Sequence, residues 1–244
     1  MIFSGKTDKG RLRPNNEDAF FMPENLEEPL IFIVADGMGG HNGGEVASQI
    51  AVEEISSYIY RNKEKFNEEE EIKKIIKEAI CHANSKILEK ASSDIECSGM
   101  GTTSTLAVVF CNKLYIGHIG DCRLYLIRGK NITQVTKDHS LVWELMEQGK
   151  INFEEMKVHP MKHIITKALG IQDRPEPDIL TLFLEKDDII IICSDGLTAM
   201  LSDMEIKDIA LKYKNPETIS QILVDLANDR GGYDNVTVVT ILVD

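Results

Sequence analysis

Residues 30–48 read LIFIVADGMGGHNGGEVAS, and they place one acid at an unusual position. The apolar run from Leu30 to Ala35 predicts a buried strand, and Asp36 follows it directly at the start of a glycine-rich loop. Helical spacing of apolar residues begins after the loop, at Glu45. A lone ionised carboxylate at the end of a core strand is costly unless a positive charge compensates it. The stretch therefore predicts that Asp36 has a cationic partner.

The composition indicates a globular protein of one domain, or at most two, that is not built to bind polyanions. The chain has 244 residues, of which 43% are hydrophobic and 27% charged, enough for a sizeable core. Its formal net charge of −13 argues against binding to nucleic acid or to an anionic membrane. The sequence has no run of the roughly 18 apolar residues that a membrane span needs, and no secretion signal at its start. Five scattered cysteines indicate reduced thiols, so we expect a cytoplasmic protein without membrane insertion.

Helices and strands are predicted in separate blocks along the chain. Two helical patterns, the second capped by Asn67, precede a group of short β-branched segments that predicts an antiparallel meander. Residues 137–178 are polar and broken, and we expect them to be irregular. Strands return near 179 and 188, two helices begin at Ser202 and Asn215, and a last strand follows Asp234. This block arrangement favours an α+β fold in which helices cover packed sheets.

Acids mark the ends of several of these predicted strands. Asp195-Gly196 follows an apolar strand, Asp121 lies in a Gly-Asp break between two strands, and Asp234 directly precedes the last strand. Each of these dipeptides alone is an ordinary turn. If the strand ends converge on one cleft, however, the carboxylates repel one another, and a divalent cation removes that repulsion. Sites made only of oxygen ligands suit Mg²⁺ or Mn²⁺.

Five short motifs occur in order along the chain: Arg13-x-x-Asn16-Glu17-Asp18, Asp36-Gly37-Met38-Gly39-Gly40-His41, Gly120-Asp121-Cys122-Arg123, Ser194-Asp195-Gly196 and Asp234-Asn235. Together they resemble the metal-dependent serine/threonine protein phosphatases, the type-2C phosphatases, in their compact bacterial form. The resemblance covers essentially the whole chain and implies one catalytic domain over residues 1–244. The implied fold is a four-layer α-β-β-α sandwich of two antiparallel sheets flanked by helix pairs, with a flap insertion at about residues 137–178.

The resemblance implies a metal-binding role for five of these residues. Asp36 bridges two metal ions in this scheme, Asp195 and Asp234 complete one of them, and the Gly37 carbonyl binds the other. Asp121, together with Asp195, holds a weaker third ion. We therefore expect two or three Mn²⁺ or Mg²⁺ ions per chain.

The same resemblance implies how the phosphate is bound and attacked. Arg13 binds the substrate phosphate, for which a planar guanidinium is well shaped. Glu17 and Asp18 hold metal-bound water molecules from outside the ligand set. Two metals roughly 4 Å apart share the attacking water, so no side chain is the nucleophile. The implied substrates are proteins that carry phosphoserine or phosphothreonine. A membrane serine/threonine kinase and its targets are the implied partners, and the chain is expected to be a monomer.

The sequence departs from the family pattern at two places that bear on catalysis. Met38 stands where some members have a histidine that is a proposed general acid. We interpret metal-bound water, rather than the nearby His41, as the proton donor to the leaving group. Lys167 stands where many members have arginine, which puts the substrate contacts of that segment in doubt.

Other functions fit the sequence less well. A dinucleotide-binding reading of residues 30–48 fails because Asn42 stands at the last glycine of G-x-G-x-x-G. A phosphoprotein-binding pseudophosphatase predicts the loss of a metal acid, yet every one is present. A metal-dependent phosphoesterase acting on small molecules stays open, whereas the acidic charge argues against a nuclease.

Overall fold

The computed structural model describes residues 1–39 and 43–244. The strands within this part of the chain are β1 (Ile2–Asp8), β2 (Asp18–Phe21), β3 (Leu30–Met38), β4 (Gly101–Thr102), β5 (Ser104–Phe110), β6 (Lys113–Ile119), β7 (Arg123–Arg128), β8 (Asn131–Gln134), β9 (Asp178–Phe183), β10 (Ile189–Cys193) and β11 (Val236–Leu242). The helices are α1 (Gly43–Arg61), α2 (Glu69–Ser93), α3 (Leu141–Glu147), α4 (Phe153–Val158), α5 (Asp195–Thr198), α6 (Asp203–Tyr213) and α7 (Pro216–Asp229). Two short 3₁₀ turns lie at Lys63–Lys65 and Ile95–Cys97.

The strands form two antiparallel sheets. One has the order β1-β11-β10-β7-β8, so the first and last strands of the chain are neighbours. The other has the order β2-β3-β5-β6-β9, with the short β4 paired to β3. The hairpins β5-β6 and β7-β8 form from the predicted segments, but they belong to different sheets. The prediction of one continuous meander was therefore wrong, because the chain crosses from one sheet to the other between β6 and β7.

Three apolar cores separate four layers. Helices α1 and α2 pack on the β3 sheet, the two sheets pack on each other, and α6 and α7 pack on the β11 sheet. In β3, Ile31 and Ile33 face the helices, whereas Phe32 and Val34 face the other sheet. Because both faces of β3 are buried, its sequence is a continuous apolar run instead of an alternating one. The predicted α-β-β-α sandwich is confirmed.

The helix starts agree with the sequence except at α2. The predicted cap, Asn67, does not cap this helix, because its side chain donates to the Glu64 carbonyl at 3.4 Å. Extended Glu68 precedes α2, and three glutamates in the first turn interact favourably with the helix dipole. Ser202 and Asn215 do cap α6 and α7, each accepting a backbone N–H from the first turn.

Residues 137–178 are more regular than the sequence predicts. Ser140 caps α3, and Asn152 begins α4 with a reciprocal capping box. The two ends of the segment meet, because Ser140 and Ile165 form an isolated β-bridge. The prediction of an irregular segment was wrong for these two helices, since each is too short to produce a clear apolar period and depends on its cap.

The cysteines and the helices agree with two simpler expectations. All five cysteines are free, and Cys97, Cys122 and Cys193 are buried. Among the described residues, no helix combines the length and the apolar character that crossing a bilayer requires.

Candidate metal centre and active site

Asp36 lies near the end of β3, and hydrogen bonds to Thr102 and Thr103 hold both its backbone N–H and its carbonyl. The Asp36 N–H donates to Thr103 Oγ1 at 2.9 Å. The Asp36 carbonyl accepts the Thr103 N–H and the Thr102 hydroxyl, both at 2.9 Å. The antiparallel register of β2 and β3 sets Asp18 directly opposite Asp36. Directly opposed residues project to the same face of a sheet, so these two carboxyls are neighbours.

Glycines allow the start of α1 to pack against this strand end. The Gly37 N–H donates to the Glu17 carbonyl at 3.1 Å. A Cβ added at Gly37 would lie 2.1 Å from the Gly44 carbonyl oxygen, and one added at Gly44 would lie 2.6 Å from Glu17 Oε2. Only glycine fits at either position. The close packing brings the Glu17 carboxylate beside Gly44 in the first turn of α1.

Asp195 and Asp234 meet because their strands are antiparallel neighbours. Asp195 follows β10 as the first residue of α5, and Asp234 precedes β11. The end of one strand and the start of the next therefore lie at the same edge of the sheet. The two loops touch, since a Cβ added at Gly196 would lie 2.0 Å from the Asn235 carbonyl oxygen.

Asp121 follows β6 in a turn that packs on the same threonine that holds Asp36. Gly120 has a φ of +109°, and a Cβ added there would lie 2.4 Å from Thr103 Cβ. The neighbouring Cys122 Sγ lies 3.0 Å from Thr103 Oγ1. Asp121 Oδ1 is buried and has no hydrogen-bond partner among the described residues.

Asp18 is oriented by two hydroxyls from the other sheet. Its Oδ2 accepts Ser194 Oγ–H and Thr237 Oγ1–H, both at 2.7 Å, whereas its Oδ1 is buried without a partner among the described residues. Sequence reasoning missed Thr237. The available signal was a hydroxyl side chain within the otherwise apolar start of the last strand.

Arg13 lies at the open side of the cleft. Its Nη2 donates to Asp234 Oδ2 at 2.7 Å, and its side chain is 49% exposed. The other oxygen of Asp234 accepts the Asn235 N–H at 2.8 Å. A guanidinium has five N–H donors. Arg13 therefore has donors to spare for a second anion.

Four carboxyl groups, Asp18, Asp36, Asp121 and Asp195, form what we call the carboxyl cluster. Burial, together with the nearby charge of Asp195, raises the pKa of Asp18 to about 7 and that of Asp121 to about 8. Burial, then the charges of Asp18 and Asp195, raises the pKa of Asp36 well above its ordinary value. No lysine or arginine in the described part of the chain forms an ion pair with any of the four.

The pKa values of Asp195 and Glu17 follow the same pattern. Burial and then the charge of Asp234 raise the pKa of Asp195, and a hydrogen bond with the Asp36 carboxyl partly opposes the shift. Burial also raises the pKa of Glu17, against the attraction of Arg13. The raised pKa values mean that these carboxyl groups hold protons more tightly than ordinary carboxyl groups do.

The residues present fit a divalent metal centre. In residues 1–39 and 43–244, no three His, Cys, Asp or Glu side chains are already arranged around a common point. Asp36 and Asp195 are close enough that the charge of Asp195 helps to raise the pKa of Asp36, so a metal ion competes with protons for these carboxyls. The donors are all oxygens, as Mn²⁺ and Mg²⁺ prefer, and the unpaired Oδ1 atoms of Asp18 and Asp121 need a positive partner.

The candidate site residues predicted from sequence all lie along one cleft at the strand ends: Arg13, Glu17, Asp18, Asp36, Gly37, Asp121, Asp195 and Asp234. His41 lies outside the described residues. Lys167 is half-buried, and its charge helps to lower the pKa of His139, which lies near the start of the 137–178 segment.

Comparisons with known proteins agree with this arrangement. The family model for protein phosphatase 2C matches residues 5–236. The chain is 37% identical to serine/threonine phosphatase stp of Listeria welshimeri, over 97% of this chain and 93% of that protein. It is 38% identical to protein phosphatase PhpP of Streptococcus pneumoniae, over 98% of this chain and 96% of that protein.

Solved structures with the same fold come from the same family. The serine/threonine phosphatase of S. agalactiae has a TM-score of 0.92 and 37% identity, with 100% of this chain and 99% of that chain covered. The catalytic domain of the phosphatase PstP, in complex with two manganese ions, has a TM-score of 0.85 and 33% identity, with 100% and 98% covered. The chain therefore belongs to the protein phosphatase 2C family, whose members are metal-dependent serine/threonine phosphatases. The enzyme class predicted from the sequence is confirmed.

Proposed function

We propose that this chain removes phosphate from phosphoserine and phosphothreonine in proteins, at a binuclear Mn²⁺ or Mg²⁺ site with a weaker third ion. The observation that carries the proposal is the meeting of Asp36, Asp195 and Asp234 in one cleft with Arg13 at its edge. Residues 1–244 act as a single catalytic domain in this proposal. PstP, at 33% identity, binds two manganese ions, which supports the same metal count here.

The carboxylates hold the metals in the proposed site. Asp36, Asp195, Asp234 and the Gly37 carbonyl would hold two ions, with Asp36 shared between them. Asp121 and Asp195 would hold the third. Divalent ions in such a site lower the pKa of bound water and neutralise negative charge on the phosphate. That neutralisation lets an acidic protein accept an anionic substrate.

The side chains around the metals orient and bind. Arg13 donates to the phosphate with the N–H groups that Asp234 leaves free. Glu17 and Asp18 hold water molecules at the edge of the metal site, and the hydroxyls of Ser194 and Thr237 fix Asp18 for this role. Because hydroxyls hold Asp18 and the Asp234 carboxylate holds Arg13, we expect phosphate to bind without large rearrangement of these two groups.

The proton for the leaving group comes from water in this proposal, not from His41. Met38, which ends β3, has no proton to give at the place where other members carry a histidine. We expect His41→Ala to leave turnover and its pH profile unchanged. A lower rate, or a lost limb in the pH profile, would assign the proton to His41.

The 137–178 segment acts as a flap that selects phosphoproteins. Its support is position: His163 is close enough to lower the pKa of Asp195, and Thr102 exchanges two backbone hydrogen bonds with Leu169. We expect substitutions at Met161 or His163 to change preference among phosphoproteins more than activity on a small aryl phosphate. Equal losses on both substrates would contradict a selecting role.

The deciding experiment compares two substrates with and without metal. Hydrolysis of para-nitrophenyl phosphate and of a phosphothreonine peptide is measured with Mn²⁺ and then with EDTA. We expect activity on both, its loss in EDTA, and its collapse in Asp36→Asn and Asp234→Asn. Asp208→Asn, an exposed acid on α6, is the matched control. Binding of the peptide without turnover would indicate a pseudophosphatase, and hydrolysis of small phosphates alone would indicate a small-molecule phosphoesterase.

Metal titration, substrate trials and sedimentation test the remaining proposals. Asp121→Asn is expected to raise the Mn²⁺ concentration needed for full activity, and no effect at any concentration would remove the third site. A membrane serine/threonine kinase and its targets are the first substrates to try. We propose that the chain acts on them as a monomer, which sedimentation measures.

A further inference from the structure

One buried side-chain amide fastens an irregular segment near the start of the chain to the last strand. Asn235 directly precedes β11 and is 5% exposed. Its Oδ1 accepts the Glu17 N–H at 2.8 Å, and its Nδ2 donates to the carbonyls of Lys9 and Asn15, both at 2.8 Å. A side-chain amide has two N–H donors, and both are used here.

The fastened segment, residues 9–17, carries Arg13. It lies between β1 and β2 and belongs to no helix or strand. The Gly232 carbonyl accepts the N–H groups of Arg11 and Leu12 at 2.7 and 3.3 Å, which holds the turn before Arg13. The Asn235 amide holds the segment on both sides of Arg13, at residues 9 and 15. The position from which the guanidinium projects is therefore set from the last strand.

Asn235 is also held firmly to the cleft itself. Its N–H donates to Asp234 Oδ1 at 2.8 Å, while Arg13 Nη2 reaches the other oxygen of the same carboxylate at 2.7 Å. Its carbonyl lies so close to Gly196 that no Cβ fits there. One residue thus orients the Asp234 carboxylate with its main chain and the Arg13 segment with its side chain.

We propose that Asn235 is a positioning residue that presets the Arg13 guanidinium for phosphate. The inference rests on the proposed function, in which Arg13 binds that phosphate. Without the Asn235 amide, residues 9–17 lose their contacts on both sides of Arg13, and the cost of ordering them when phosphate binds weakens binding. Loss of the amide therefore raises KM, and the inhibition constant of phosphate, more than it lowers kcat.

A double-mutant cycle tests whether Asn235 acts through Arg13. The probe is inorganic phosphate, as a competitive inhibitor of para-nitrophenyl phosphate hydrolysis in saturating Mn²⁺. Asn235→Ala is expected to raise the inhibition constant about three- to tenfold when Arg13 is present, and to leave it unchanged in Arg13→Ala. The same increase in both backgrounds would overturn the proposal.

Two further variants make the cycle secure. Asn15→Ala is the matched control, because it keeps the carbonyl that Asn235 binds, and it is expected to behave as the wild type. Asn235→Asp keeps an acceptor for the Glu17 N–H and removes both donors, so it replaces the alanine variant if that does not fold. It is expected to raise the inhibition constant in the same direction, and a wild-type value would contradict the proposal.

Hydrogen exchange without phosphate separates this inference from the proposed function. Asn235→Ala is expected to speed exchange at the amides of residues 9–17 and to leave Asp18–Phe21 and Val236–Leu242 unchanged. Unchanged exchange in residues 9–17 would overturn the positioning role whatever the kinetics. Faster exchange, combined with an Arg13→Ala protein that binds phosphate normally, would instead refute the phosphate role of Arg13 and leave the anchoring intact.

Discussion

Carboxylates that are buried or half-buried are compensated in two different ways in this molecule. Asp188 is 1% exposed, and Arg128 donates to it from Nε and Nη2 at 2.8 and 2.6 Å. Asp138 is 8% exposed, and Arg123 donates to it at 2.6 to 3.1 Å. The carboxyl cluster at the strand ends has no such arginine among the described residues, and its members keep raised pKa values.

The difference separates structural acids from functional ones. Breaking a buried ion pair is costly, so a fold that uses an acid for packing supplies the matching cation from its own sequence. Where it gathers several acids and supplies none, the positive charge must come from solution, as protons or as metal ions. No lysine or arginine in residues 1–39 and 43–244 is therefore the cationic partner that the sequence predicts for Asp36.

The largest expected effect comes from removing one acid of the cluster. Asp36→Asn is expected to lower turnover by about a thousandfold or more, because the proposed bridging ligand is lost. The same change is expected to raise the melting temperature in EDTA, because a repelling carboxyl is removed. Turnover and the melting temperature are measured on the same preparation, and they check the expected decrease and the expected increase. A melting temperature that falls would place Asp36 among the structural acids.

The opposite behaviour is expected at the paired acids. Arg128→Ala is expected to destabilise the fold by about 2 kcal/mol, below the usual cost of breaking a buried pair because solvent screens the half-exposed guanidinium. The backbone N–H of Glu185 also continues to donate to Asp188, at 2.8 Å. Urea unfolding measures the loss, and kcat is expected to stay at its wild-type value. A large drop in kcat without a loss of stability would contradict the distinction between structural and functional acids.

The stability of the metal-free protein is expected to depend on pH through the cluster. Asp121 has a folded pKa of about 8 against an ordinary 3.8, so between these values the folded state binds more protons than the unfolded state. Its contribution is complete at low pH and is lost as the pH rises towards 8. Melting in EDTA is therefore expected to occur at lower temperature at pH 8 than at pH 6. Saturating Mn²⁺ removes this difference, and Asp121→Asn reduces it.

The smallest expected effect belongs to an exposed ion pair. Lys86 and Glu89 lie 2.8 Å apart on α2, with side chains 43% and 70% exposed. Lys86→Ala is expected to shift the melting temperature by less than about 1 °C, since water and salt screen such a pair. A shift as large as that of Arg128→Ala would show that burial does not determine how much an ion pair contributes to stability.

The sequence predicts this site better than it predicts the network that supports it. The acids stand out because each interrupts an apolar strand end, and the order of their motifs points to one family. The helices of the 137–178 segment were missed because their short periods are weak. The supporting contacts of Thr103, Thr237 and Asn235 were missed for another reason. Their hydrogen bonds join residues far apart in the chain, and no local pattern records which loops will face each other.

The placement of β11 has a consequence for the order in which the enzyme is made. This strand lies between β1 and β10, and it brings Asp234 with it. A nascent chain in which β11 is still inside the ribosome has β1 and β10 without their shared neighbour, and it lacks Asp234, one of the proposed metal-binding acids. Catalytic competence is therefore expected only after β11 has been translated and paired, and a product that stops before Val236 is expected to be inert instead of a phosphatase of altered specificity.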